Sequence, residues 1–104
     1  MKMFTLIAML AMTPVTSYSV TPVELCSTMQ ALALNVMTAR QAGVSLTDLS
    51  KSLNATNNTQ AKDVAQAIIV SAYSLPTYED TDLKNLAIGA FGNAISEACY
   101  QSFN

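Results

Sequence analysis

Histidine and tryptophan are absent from this 104-residue chain, and charged side chains make up only 12% of it. Without histidine, the usual nucleophile–base triads lose their commonest base, and the usual switch near pH 6 is missing. Two cysteines and no histidine are too few for a zinc centre. The four basic residues beyond Lys2, namely Arg40, Lys51, Lys62 and Lys84, are scattered through a chain of net charge −2. Nucleic-acid binding needs clustered Lys and Arg to release counterions, so this composition argues against it. Alternating apolar and polar runs bounded by hairpin turns are also missing, which removes the signal for strands. Beyond the first nineteen residues there is no apolar run of the roughly 20 residues that a membrane span needs.

What is present is helical. Thr21 to Gly43, TPVELCSTMQALALNVMTARQAG, carries both of its ends in its sequence. Thr21 suits the N-cap, Pro22 the first helical position, and Glu24 completes a capping box. Gly43 supplies the left-handed residue that closes the C-terminus, with Val44 placed for the accompanying apolar contact. Leu25, Met29, Leu32, Val36 and Ala39, widened by Ala33 and Met37, form the expected buried stripe. Ser45 and Asp48 then cap a short helix bearing Leu46, Leu49 and Leu53.

NATNNTQ reads as a solvated loop that contains two glycosylation sequons, at Asn54 and Asn57. Gln60 to Ser74 is the next helix. Val64, Ala67, Ile68, Ser71 and Ala72 share one face, and Ile69 and Val70 extend it nearly around, as expected of a helix at the centre of a bundle. Pro76 stops it. A last helix runs from near Glu79 to about Gln101, with Leu83, Leu86, Ala87, Ala90, Phe91, Ala94, Ile95 and Ala98 as its apolar stripe. The fold class is therefore all-α: a small bundle of three long helices plus one short helix, stapled by one disulfide.

The first nineteen residues, MKMFTLIAMLAMTPVTSYS, read as a signal peptide. Lys2 is the positive end, Met3 to Met12 the apolar core, and Ser17 and Ser19 a small-x-small cleavage site. The chain then divides into a signal peptide, 1–19, and a single helical domain, 20–104, exported to the periplasm or secreted, with no stable membrane insertion after cleavage. In such a compartment Cys26 and Cys99 most simply form one internal disulfide. The alternatives are an intermolecular bond or a redox pair, and no Cys-x-x-Cys supports the latter. An internal bond would make the first long helix and the last antiparallel neighbours, if they pack side by side.

No catalytic, cofactor-binding or metal-binding residues are assigned, and the chain reads as non-enzymatic. The acidic run Glu79, Asp80, Asp82 is placed at a helix start, where negative charge complements the helix dipole. Arg40, the single arginine, has two readings: a helix C-terminal charge paired with an acid such as Glu97, or an anchor for a partner's carboxylate. Tyr73 and Tyr78 flank Pro76 and either lock a loop to the core or form an aromatic corner for a target protein.

VMTARQAGVSLTDL after Cys26, then AYSLPTY, then IGAFGNAISEAC, resembles small exported two-cysteine helical proteins of phages, prophages and proteobacteria. The resemblance spans nearly the whole of 20–104 and implies signature positions at Cys26, Arg40, Gly43, Tyr73, Pro76, Phe91 and Cys99. It implies a compartment and a fold rather than an activity, and this chain carries fewer charges than that group. Two functions follow as expectations. One is an interaction protein of the cell envelope, phage-encoded, that binds and modulates an envelope or lysis-related protein. The other is a periplasmic stress protein or holdase chaperone, with Met29 and Met37 as adaptable client-binding surface. An interaction protein should show one contiguous exposed apolar patch when folded.

Overall fold

The structure, a computed structural model, describes residues 21–53 and 59–103. The expected signal peptide, 1–19, with its expected cleavage site, and the sequon asparagines Asn54 and Asn57 lie outside the described residues. The chain is all-α, with α1 Pro22–Gln41, α2 Leu46–Leu53, α3 Thr59–Tyr73 and α4 Thr81–Gln101, and there are no strands among the described residues.

Helix ends follow local chemistry. The Thr21 hydroxyl accepts from the Glu24 N–H at 3.1 Å, and the Glu24 carboxylate accepts from the Thr21 N–H, so two orphan donors of α1 are satisfied reciprocally. At the other end Gly43 adopts φ +90°. Its N–H donates to Arg40 O and the Val44 N–H donates to Ala39 O, a Schellman motif that only a residue free to take positive φ closes cheaply. The Ser45 hydroxyl caps α2 by accepting from the Asp48 N–H. Asp80, not Glu79, caps α4: its Oδ1 accepts from the Asp82 and Leu83 N–H groups. Part of the acidic run therefore serves to start a helix.

Cys26 and Cys99 are bonded, and both are buried. The bond joins the first turn of α1 to the last turns of α4, and the two helices run antiparallel from there. Gln30 Nε2 donates to Asn93 Oδ1 at 3.2 Å, Leu34 lies over Gly92, and Lys84 Nζ donates to the Gln41 carbonyl at 2.6 Å. These pairs climb α1 while descending α4. A Cβ built on Gly92 would sit 2.5 Å from Leu34 Cδ2, so the glycine permits the close approach. By contrast, α3 runs parallel to α1. Ile68 and Val64 line a groove with Met29, while Tyr73 reaches Val44 just past the end of α1. The short α2 lies between these parallel helices in the chain and packs against α3.

The core joins Ala33, Val36 and Met37 of α1 to Ile68, Ile69 and Ala72 of α3 and Phe91 of α4. Leu49 and Leu53 of α2 pack against it. Three expectations about faces need correction. α1, not α3, is the central helix: it packs on both α3 and α4. Accordingly Val64 and Val70 of α3 are exposed. On α1 the buried set is Cys26, Ala33, Val36, Met37 and Gln41, while Leu25 is exposed. On α4 the buried residues are Phe91, Gly92 and Cys99, while Leu83, Leu86, Ala90, Ala94 and Ala98 are exposed.

Candidate interaction face

The orientation of α4 leaves an apolar surface outside the bundle. With each residue advancing ~100° around a helix, Leu83, Leu86, Ala87, Ala90 and Ala94 fall within an arc of about 100°. Lys84, Ile88, Phe91, Gly92, Ile95 and Cys99 occupy the neighbouring arc, which faces α1. Leu86 is 67% exposed and Leu83 46%. Fully burying one leucine is worth about 1.5–3 kcal/mol, so this face forgoes stabilisation that the isolated chain does not recover.

Beside that arc runs a groove of about 260 Å³, floored by Met37 and Phe91 and walled by Ala87, Ala90 and Ala94 on one side and Leu75, Pro76 and Tyr78 on the other. The second wall is the strap 74–80 between α3 and α4. It contains no regular structure to hold it, and side chains from α1 do so instead. Gln41, 4% exposed, donates from Nε2 to Pro76 O at 2.9 Å and accepts at Oε1 from the Tyr78 N–H at 3.0 Å. Both bonds fix the orientation of its amide. Arg40 donates from Nε and Nη2 to Leu75 O at 3.1 and 2.8 Å. Its guanidinium also lies 5.0 Å from the centroid of the Tyr73 ring, a cation–π contact. The Tyr73 hydroxyl donates to Val44 O at 2.6 Å. Arg40, Gln41 and Tyr73 thus pin the strap and the end of α3 to the Schellman loop of α1.

The candidate partner-binding residues separate on this geometry. Arg40 is engaged with the Leu75 carbonyl rather than with Glu97 or the acids at 79–82, and Tyr73 is half-buried beneath it. Tyr78 is exposed and forms part of the groove wall. Gln41 carries no special sequence signal, yet it holds the strap in place. Its position, fifteen residues after Cys26, is the one clue: Cys26, Ala33, Met37 and Gln41 recur at helical spacing, so the face containing the cysteine runs through it. Cys99, Ile95, Gly92, Ile88 and Lys84 mark the inner face of α4 by the same rule.

A second apolar groove, about 290 Å³, lies between α3 and α4 over Met29. Among the described residues no three His, Cys, Asp or Glu side chains converge on a common point, and no helix is long and apolar enough to cross a membrane. No family model, curated protein or solved structure matches this chain.

Proposed function

We propose that this is an exported, non-enzymatic interaction protein that docks an apolar segment of an envelope or lysis-related protein onto the outer face of α4 and the groove beside it. One observation carries the reading. An apolar stripe of α4, with Leu83, Leu86, Ala90 and Ala94 exposed, faces solvent and continues into a groove whose far wall is bonded in place. Contiguous exposed apolar surface of this kind marks interaction sites. The helices and the pinned strap form a rigid support, which lowers the ordering cost of association. Export accords with the Cys26–Cys99 disulfide, a bond that persists in oxidising compartments, and with the signal-like start of the sequence. A holdase would open its apolar surface only on acid or oxidative challenge, with Met37, 1% exposed, and Met29, packed against the core, held in reserve; apolar surface already exposed on α4 in the folded state favours the interaction reading instead.

The test compares oxidised protein, residues 20–104, with its Leu86→Asp variant in capture from envelope extract of the native host. Leu86 is 67% exposed and lies outside the core cluster, so the variant should melt like wild type. The expected result is one stoichiometric partner held by wild type and lost from the variant. Equal capture by both proteins overturns the reading, and a broad set of clients favours the holdase.

A further inference from the structure

We infer that the segment docking on α4 is an amphipathic helix with a basic residue near each end of its apolar face, an inference that rests on the docking face proposed above. Its basis is the charge around the stripe. Asp82 lies just before Leu83, Glu97 follows Ala94 on the same side of the helix, and both are exposed. Neither carboxylate has an ion-pair partner among the described residues. At a rise of ~1.5 Å per residue, the fifteen steps from one to the other span about 22 Å.

Neither nearby cation pairs with these carboxylates. Lys84, the only basic residue of α4, is turned inward onto the Gln41 carbonyl. Arg40 is spent on Leu75 O. An apolar strip bracketed by unpaired carboxylates selects a partner that is apolar in the middle and cationic at both ends. The same charges disfavour two other occupants. A second copy laid along this face, in either direction, would set carboxylate against carboxylate, and an anionic membrane surface would be repelled.

The small residues Ala87, Ala90 and Ala94 match a helical occupant better than an extended one. They let a helix backbone approach closely, while Leu83 and Leu86 at one end and Tyr78 across the groove contact its apolar side chains. An extended strand would find no sheet edge here, since the α4 backbone is already hydrogen-bonded within its helix.

The experiment uses oxidised protein and two 18-residue helical peptides with identical Leu/Ala faces. One carries Lys at positions 2 and 17, and the other carries Glu there. Affinities are measured by calorimetry in 50 mM salt. The Lys peptide should bind at least tenfold more tightly than the Glu peptide. The ratio should shrink several-fold in 500 mM salt and in Asp82→Asn, Glu97→Gln protein. Leu86→Asp should abolish binding of both. Equal binding of the two peptides overturns the charge inference while leaving the docking face intact. Failure of both to bind at millimolar concentration overturns the docking face as well. A dimer in sedimentation that Leu86→Asp dissociates assigns the face to a second copy and overturns the inference.

Discussion

Gln41 and Pro76 are joined by a part-buried hydrogen bond from the side-chain amide to the main-chain carbonyl, 2.9 Å long, with Gln41 itself 4% exposed. Together with the bond that Gln41 accepts from the Tyr78 N–H, it ties the middle of the 74–80 strap to α1, beside the Arg40 bonds to Leu75 O. A buried group left without its partner costs about 1–3 kcal/mol. Gln41→Ala removes both bonds, and since Pro76 and Tyr78 are exposed residues water replaces part of what is lost, so the cost should be about 1–2 kcal/mol, measured by urea unfolding. Gln41→Met, similar in length but unable to bond, should fare little better, which separates lost hydrogen bonds from lost volume.

Gln41→Glu tests the same node through pH. Its carboxylate still accepts from the Tyr78 N–H but faces the Pro76 carbonyl with no proton to donate. Folding therefore favours the protonated acid and raises the carboxyl pKa of the folded variant above its unfolded value. Stability contributed in this way is present below the unfolded pKa and lost as pH rises through the folded one. The deficit relative to wild type should accordingly be smaller at pH 4 than at pH 7 in parallel unfolding curves.

The two glycines of α4 should respond in opposite directions to alanine. A Cβ at Gly89 meets nothing within 4 Å, so Gly89→Ala should stabilise by up to about 1 kcal/mol through helix propensity. A Cβ at Gly92 would meet Leu34 Cδ2 at 2.5 Å and Cγ at 3.0 Å. Overpacking of this sort costs roughly 1–3 kcal/mol, which outweighs the propensity gain. Gly92→Ala should lower the melting temperature, and adding Leu34→Ala should recover part of the loss.

The disulfide closes a loop of 73 residues, for which the chain-entropy model gives about 4 kcal/mol. A Cys26→Ser, Cys99→Ser protein should lose about that much stability in denaturant titration. Reductant should destabilise wild type similarly and leave the double variant unchanged.

The ends of the helices could be read from the sequence, because caps are local. Thr21 with Glu24, Gly43 with Val44, and Ser45 with Asp48 each act as their residue types require. Helix faces are not local. On α4 two adjacent arcs compete for the core. The sequence stripe straddles the two: its Phe91 and Ile95 lie on the inner face, its Leu83 and Leu86 on the outer, and the inner face also holds Lys84 and Gly92. Packing decides between them through groups that hydropathy ranks low. Gly92 admits Leu34, and the Lys84 stem reaches across to Gln41. The cysteines carried the missing phase: a disulfide must lie between its helices, so stepping from Cys26 and from Cys99 by three and four residues traces both buried faces. The strap node was half legible. Arg40 and Tyr73 stand out in sequence, but their bonds go to main-chain carbonyls, which no residue pattern announces.

The central claim is that the outer face of α4 is where a partner sits. The most direct measurement places a photo-crosslinking benzoylphenylalanine at Ala90 on that face, or at Val70 on the exposed side of α3, in protein expressed in its native host. Crosslinking at position 90 to one defined protein, with none at position 70, is the predicted result. Equal or absent crosslinking at the two positions would contradict it.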